Sequence, residues 1–247
     1  MLKPFSVLTW NIAGVYKPEY ESRYGWEARK EQVCSFLKER SQSHVMLLQE
    51  ATDFSIPDLM KLFPKDTHHT QILKTSTRCG LYVFTAIPKS LFSDTNSIFI
   101  NHEPRVSWII NQCGPYTFVN CHFPTGYDER MKCTEHLATQ LNTFDTNIIM
   151  AGDMNTFPDA GGFEQVALIQ NKCRGIREAT HIIISATDHT KRVLKTFEPW
   201  EGDSVPENII PYHLDHIFVQ ANIVHTIPIC HEIYPISDHM PIEIGIL

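Results

Sequence analysis

Short apolar runs recur along the chain and predict a protein rich in β-strands. One of them, Asn147–Ala151, is followed directly by Gly152 and soon afterwards by Pro158, a boundary typical of a buried strand that ends in a turn. Comparable runs occur from the first residues to the last. The predicted strands are Phe5–Trp10, Val45–Leu48, Leu81–Thr85, Ser97–Ile100, Val106–Asn111, Tyr116–Cys121, Asn147–Ala151, Leu214–Val219 and Ile242–Leu247.

Helical periodicity marks three segments between these runs. The first predicted helix has its repeating positions in a charged background, at Trp26, Val33, Phe36, Leu37 and Arg40. The second repeats the spacing at Met131, Leu137, Leu141 and Phe144. The stretch DAGGFEQVALIQNKC predicts a third, shorter helix. The mixture predicts an α/β fold in which two sheets pack together with helices outside, rather than a regular βαβ alternation.

The composition favours one large domain. The chain has 247 residues, of which 43% are hydrophobic, so it can bury a sizeable core. No linker-like stretch, low-complexity segment or internal repeat divides it, and we expect a single domain over residues 1–247. The net charge of -7 argues against a protein that coats long nucleic acids, but not against chemistry on phosphate esters.

The sequence also contains indications of its compartment. The N-terminal segment MLKPFSVLTW has no long apolar region of the signal-peptide type, and no stretch reaches the length of a membrane-spanning helix. The seven cysteines form no CxxC pair, and no glycosylation sequon occurs. We therefore expect a cytoplasmic or nuclear protein, with export by a non-classical route as the alternative. The oligomeric state is left open.

Polar residues follow or interrupt the predicted strands at six places. An isolated Asn or Asp at a strand end is usually a turn residue, and a lone His is usually structural. Asp215 is harder to explain in this way, because a carboxylate inside an apolar strand costs desolvation energy unless it is paired. The repetition indicates a shared site. The residues concerned are Asn11, Gln49, Glu50, Asn120, His122, Asp153, Asn155, Asp215, Asp238 and His239.

These residue types suit metal-assisted hydrolysis of a phosphate ester. Carboxylate and amide oxygens are the ligands of a hard cation such as Mg2+, whereas zinc favours closed His and Cys clusters that this spacing does not offer. The candidate metal ligands are Asn11, Glu50 and Asp238. Either Asp153 or a histidine would activate water, and Asn155 would fix the geometry. Asp215 and His239 form a plausible charged pair, because a neighbouring carboxylate holds an imidazole in its cationic form.

Six motifs occur in an order that resembles the endonuclease/exonuclease/phosphatase superfamily. They are TWNIAG, LLQE, NCHFPTG, GDMN, LDHIF and SDHMP, and the resemblance extends from Thr9 to Pro241. It implies a four-layer α/β-sandwich, with two mixed sheets packed face to face, helices outside and the active site at one edge. It also implies a divalent cofactor, Mg2+, with Mn2+ as a substitute.

The same resemblance implies a role for each motif residue. Glu50 would be the principal metal ligand, with Asn11 nearby and Asp238 as the second metal-side carboxylate. His122 and Arg105 would lie near the phosphate. Asp153 would orient or deprotonate the attacking water, and Asn155 would be the amide beside Asp153. Asp215 would pair with His239. His216 would be structural.

The substrate is less closely defined than the chemistry. The motifs are most similar to the tyrosyl-DNA phosphodiesterase and deadenylase-like branches, so the resemblance implies a phosphodiester in a nucleic acid or nucleotide. A phosphatase or phosphodiesterase acting on a phosphoinositide or a sphingomyelin-type headgroup is the alternative, and a non-catalytic binding module is the second. Phe197 and Trp200 lie in a predicted loop before Asp215. They would either stack on a base or pack the loop down, and Trp200 is the candidate substrate contact.

Overall fold

The computed structural model describes residues 3–13, 24–74, 80–102, 106–156, 162–180, 214–220, 222–226, 228–231 and 236–247. Within these residues the chain forms two sheets of six strands each. The first sheet contains β1 (Phe5–Asn11), β2 (His44–Thr52), β3 (His68–Lys74), β4 (Leu81–Pro88), β11 (Ile229–Cys230) and β12 (Ile242–Ile246). The second contains β5 (Asn96–His102), β6 (Val106–Cys113), β7 (Tyr116–His122), β8 (Asn147–Asp153), β9 (Ile176–Glu178) and β10 (Asp215–Gln220).

Both sheets are mixed. The strand order is β11-β12-β1-β2-β4-β3 in the first sheet and β5-β6-β7-β8-β10-β9 in the second. One parallel pair lies in the middle of each sheet, β1 with β2 and β7 with β8, and the other pairs are antiparallel. The central strands therefore end side by side, which brings the residues that follow them to one edge of each sheet.

The two sheets pack face to face, and helices cover their outer faces. On β1 the side chains alternate: Phe5 and Val7 belong to the apolar cluster between the sheets, whereas Leu8 and Trp10 pack under the helices. The outer layers are α1 (Trp26–Arg40) and α2 (Ile56–Leu62) on the first sheet, and α3 (Tyr127–Leu141) and α4 (Gly162–Lys172) on the second. The predicted four-layer α/β-sandwich is confirmed.

All nine predicted strands and all three predicted helices are present, with ends that differ by a few residues. The second predicted helix corresponds to α3 and ends at Leu141, so Phe144 lies beyond it. This helix buries Arg130 and Thr134 together with its leucines. Four elements were not predicted. They are α2, which is short and has Pro57 in its first turn, β3, whose sequence HHTQILK is mostly polar, and the very short β9 and β11.

In the described part of the chain, no helix combines the length and the apolar character needed to cross a bilayer.

Candidate active site

The polar residues predicted to form a site lie at one edge of the sandwich. In the first sheet, Asn11 is the last residue of β1 and pairs with Gln49, next to Glu50. In the second sheet, His122 ends β7 and pairs with Asp153 at the end of β8. Asp215 begins the antiparallel β10 and also pairs with Asp153. The strand ends therefore bring together residues that are more than 200 positions apart in sequence.

Asp153 is at the centre of this group. Asn11 donates from Nδ2 to Asp153 Oδ2 over 2.9 Å, and the backbone N–H of Asn155 donates to Oδ1 over 2.9 Å. His122 Nε2 and His239 Nε2 lie 3.6 and 3.8 Å from Oδ2. The carboxylate is almost fully buried. Its orientation is therefore fixed by two donors, while one oxygen faces two imidazoles.

His239 forms a buried pair with Asp215. Nδ1 of His239 lies 2.8 Å from Asp215 Oδ2, and the His239 carbonyl accepts a hydrogen bond from Trp10 Nε1 over 3.0 Å. Burial alone would lower the pKa of His239, but the charges of Asp215 and Asp153 outweigh it and raise that pKa well above 6.5. The protonated imidazole is therefore favoured, with Nε2 directed toward the Asp153 carboxylate.

Glu50 reaches the site because β2 is irregular at this point. The register between β2 and β4 shifts between Leu48 and Ala51, and Glu50 has a positive φ of 54°. In a regular strand Glu50 would follow Met46 and Leu48, whose side chains face the helices. The β-bulge instead places Glu50 Oε1 3.6 Å from His122 Nε2.

Asp238 lies beside this group with an oxygen that is not hydrogen-bonded. Its Oδ1 is buried and has no hydrogen-bond partner among the described residues. The pKa of Asp238 is raised to about 6, mainly by burial; the charge of His239 opposes the rise, the charge of Glu50 adds to it, and Arg29 opposes it. A buried acceptor near a second carboxylate is the environment expected at a cation site.

The donor set fits a divalent cation. Two groups of ligand atoms each lie within 4.8 Å of one another. The first comes from Glu50, His122 and Asp153, and the second from Asp153, Asp215 and His239. The atoms of the second group are engaged with one another through the His239 pair. Asn11 Oδ1 accepts the N–H of Ala13 over 2.9 Å, which leaves its second lone pair for a cation. Asp238 belongs to neither compact group.

The GDMN segment forms a tight turn around Asp153. Gly152 has φ +151°, and a Cβ at this position would lie 1.9 Å from the carbonyl oxygen of Cys121. Asn155 has a positive φ of 49°, and its Nδ2 donates to the carbonyl of Phe123 over 2.7 Å. Asn155 thus connects the ends of β8 and β7, and its own N–H orients Asp153.

Arg29 is a residue of the site region that sequence reasoning missed. It is buried on α1 and donates to four backbone carbonyls, those of Tyr24, Ile12, Ala13 and Ile236. It thereby joins the loop after Asn11 to the segment before Asp238. A possible signal was its position on the apolar stripe of α1, four residues before Val33.

His216 lies on the opposite face of β10 from Asp215. Its Nδ1 lies 2.5 Å from Glu178 Oε1 and its Nε2 lies 2.6 Å from Thr156 Oγ1. Thr156 follows Asn155, so the hydrogen-bonded series of Glu178, His216 and Thr156 supports the turn that contains Asn155. This agrees with a structural role for His216. Glu178 lies on a three-residue strand and was not identified from the sequence. Arg105, Phe197 and Trp200 lie outside the described residues.

Comparisons with known proteins agree with this arrangement. A family model described as "Endonuclease/Exonuclease/phosphatase family" matches residues 8–239. No curated protein matches the sequence.

Several solved structures share the fold. An endonuclease/exonuclease/phosphatase from Bacteroides vulgatus superposes with a TM-score of 0.72 at 17% identity, covering 99% of both chains. A mannosyl-6-phosphatase from Bacteroides thetaiotaomicron gives 0.69 at 12% identity, covering 98% and 99%. Truncated TDP2 from Caenorhabditis elegans gives 0.66 at 16% identity, covering 99% and 97%. At these identities the likeness concerns the fold alone.

Proposed function

Because the chain belongs to the endonuclease/exonuclease/phosphatase family, we propose that it is a Mg2+-dependent hydrolase acting on a phosphodiester in a nucleic acid or nucleotide. The convergence of acidic, amide and imidazole side chains on Asp153 carries this proposal. Asn11, His122 and His239 all contact the Asp153 carboxylate or lie within 3.8 Å of it.

Asp153 is the proposed acceptor of the proton from the attacking water. Its carboxylate is buried, and donors from Asn11 and Asn155 fix both oxygens. A fixed carboxylate can orient a water molecule and take its proton as the oxygen attacks phosphorus. Asn155 holds the turn that sets this orientation.

The two histidines are the proposed donors to the phosphate. His239 carries a positive charge that Asp215 maintains, and this charge can offset the negative charge that grows on the phosphoryl oxygens. His122, whose Nε2 lies 3.6 Å from both Asp153 Oδ2 and Glu50 Oε1, would donate to a second oxygen. Arg105 is a further proposed phosphate contact, and Trp200 a contact of the substrate.

Glu50, Asp238 and Asn11 are the proposed residues of the cation site. Glu50 is the principal ligand, and Mn2+ is the expected substitute for Mg2+. When bound, the cation supplies electrophilic polarisation of the phosphoryl oxygens. The buried Oδ1 of Asp238, which has no hydrogen-bond partner in the described part of the chain, and the bulge that directs Glu50 inward support this assignment.

A substrate panel tests the proposal. Purified protein would be assayed with single-stranded DNA, 5′-phosphotyrosyl DNA, poly(A) RNA, an inositol phosphate, sphingomyelin and mannose 6-phosphate, with Mg2+ and with EDTA. We expect Mg2+-dependent cleavage of at least one nucleic acid and its loss in Asp153→Asn. Cleavage of only the lipid headgroups or sugar phosphate would contradict the nucleic-acid assignment. A folded protein that cleaves none of them would instead be a non-catalytic module. For a nucleic-acid substrate, we expect the protein in the cytoplasm or nucleus.

A further inference from the structure

Four buried polar side chains lie between the two sheets, one layer below the candidate active site. Each is fully buried: Thr9 on β1, Gln49 on β2, Thr85 on β4 and Asn120 on β7. Thr9 is two residues before Asn11, and Asn120 is two residues before His122. Since a strand rises about 3.3 Å per residue, these two residues lie about 7 Å beneath the site. Gln49 pairs with Asn11 at the level of the site, and its side chain reaches down to Thr9.

Asn120 and Gln49 join the sheets through a connected hydrogen-bond network. Gln49 Nε2, in the first sheet, donates to Asn120 Oδ1, in the second, over 2.8 Å. The same Nε2 lies 2.8 Å from the Leu47 carbonyl and 3.1 Å from Thr9 Oγ1. Asn120 Nδ2 lies 3.1 Å from Thr85 Oγ1. Gln49 therefore has partners in both sheets, and Asn120 has its partners in the opposite sheet, as the burial of each amide requires.

Asn120 also contacts the backbone where β2 is interrupted. Its Nδ2 lies 3.1 Å from the Leu48 carbonyl and 3.0 Å from the Phe84 carbonyl. Leu48 and Phe84 form the last regular pair before the register shift that leads to Ala51. A side chain of the second sheet thus binds both carbonyls that flank the bulge, and Glu50 is the bulged residue with positive φ.

The position of this network is informative. Farther from the site, the space between the sheets is filled by an apolar cluster that includes Val7, Leu47 and Phe118. Apolar side chains of similar volume would fill the space below the site without the desolvation cost of two amides. The polar network instead lies beneath the bulge of β2. At this bulge the Glu50 side chain departs from the helix-facing side of the strand and approaches His122.

We propose that Asn120 and Gln49 are positioning residues for the cation site. They hold the bulge of β2 at a fixed height against β7, and so they fix the Glu50 carboxylate relative to the His122 imidazole. This inference rests on the proposed role of Glu50 as a metal ligand. Neither amide touches the cation or the substrate.

The test is calorimetric titration of Mg2+ into wild type, Asn120→Leu and Gln49→Met, with unfolding measured on the same samples. We expect both variants to bind Mg2+ about 10- to 100-fold more weakly, because residues that orient metal ligands have effects of this size. Asn111→Leu is the matched control. Asn111 is also fully buried, on the neighbouring β6, but it pairs with Phe118, four residues from His122. It should lose stability and keep its Mg2+ affinity.

The outcomes separate the two proposals. Glu50→Gln is the reference, and wild-type Mg2+ affinity in that variant would overturn the metal role of Glu50. If Glu50→Gln weakens binding while Gln49→Met and Asn120→Leu bind like wild type, the positioning role is wrong. Weakening in Asn111→Leu equal to that in the other two would show a general effect of core damage and would also overturn it. Should Asn120→Leu not fold, Gln49→Met decides, since methionine keeps most of the volume of glutamine.

Discussion

Gly152 shows how one residue controls the approach of two strands beside Asp153. Its φ of +151° is unfavourable for residues with a Cβ, and a Cβ here would lie 1.9 Å from the Cys121 carbonyl oxygen. Cys121 belongs to β7, which pairs with β8 in parallel. The glycine of the GDMN motif thus lets His122 and Asp153 lie at adjacent strand ends.

We expect Gly152→Ala to lower the free energy of unfolding by about 3 kcal/mol or more, because backbone strain and a steric clash add. Gly114→Ala is the control, since Gly114 also has a positive φ, +55°, but no atom within 4 Å of the added Cβ. That variant should lose only about 1 kcal/mol. Urea unfolding measures both, and equal losses would contradict the proposed close contact.

The contacts around Asp153 predict a large loss of activity when Asp153 or His239 is replaced. We expect Asp153→Asn and His239→Asn each to reduce kcat about 10²- to 10⁴-fold, because each removes a proton acceptor or a charge that stabilises the transition state. Steady-state kinetics on the cleaved substrate would measure this loss, with circular dichroism to confirm folding. His225→Asn, at a half-buried position that pairs with Ile246 at the end of β12, should leave kcat unchanged. Near wild-type turnover in Asp153→Asn would show that Asp153 does not activate water.

At the scale of elements, the sequence predicted what depends on local pattern. Buried central strands such as β1 and β8 are nearly continuous apolar runs, and their boundaries were visible. The edge strand β3 was not visible, because its sequence is mostly polar. The bulge at Glu50 was also hidden, since LLQEAT has no local signal for an extra residue. The residues proposed for the site were identified from motif order, whereas the contacts of Arg29 and of the proposed positioning residues Gln49 and Asn120 depend on the tertiary structure.

Glu243 connects four elements on the outer side of the first sheet and makes the stability of the protein pH-dependent. His231 and His44 lie 3.0 and 2.9 Å from its carboxylate oxygens, and Arg40, at the end of α1, lies 3.4 Å away. The hydrogen bond from His231 and the close approach of the His44 imidazole hold the pKa of Glu243 well below 4.5. The unfolded chain then binds more protons, so this stabilisation is complete above about pH 4.5 and is lost as pH falls below it.

We expect Glu243→Gln to destabilise the protein by about 1 to 3 kcal/mol at pH 6, because charged hydrogen bonds are removed from a partly buried cluster. The difference from wild type should shrink at pH 4, where wild type begins to lose the same contribution. Urea unfolding at the two pH values measures this. Glu39→Gln is the control, because Glu39 contacts Arg40 from an exposed position. A deficit that is constant with pH would contradict the assignment.

At the scale of the whole molecule, the sandwich brings like charges together. The sheets meet at an edge where Glu50, Asp153, Asp215 and Asp238 face the same region, in a protein of net charge -7. The His239 imidazole offsets part of this charge. Burial is the main cause that raises the pKa of Asp238 to about 6, and the charge of Glu50 adds to this rise, so these two carboxylates repel one another. A bound cation would relieve this repulsion in the folded state only.

Mg2+ should therefore stabilise the fold. With free Mg2+ at about one hundred times its Kd, linkage adds about 2.7 kcal/mol to the free energy of unfolding. Thermal unfolding in Mg2+ and in EDTA, with NaCl at matched ionic strength, separates site binding from screening. In Glu50→Gln, the stabilisation by Mg2+ should largely disappear. The stability of this variant in EDTA should equal or exceed that of wild type, because one of the repelling charges is gone. An equal Mg2+ increment in both proteins would place the cation away from Glu50. A lower stability of Glu50→Gln in EDTA would mean that Glu50 supports the fold itself, and the strained bulge would then have no explanation in cation binding.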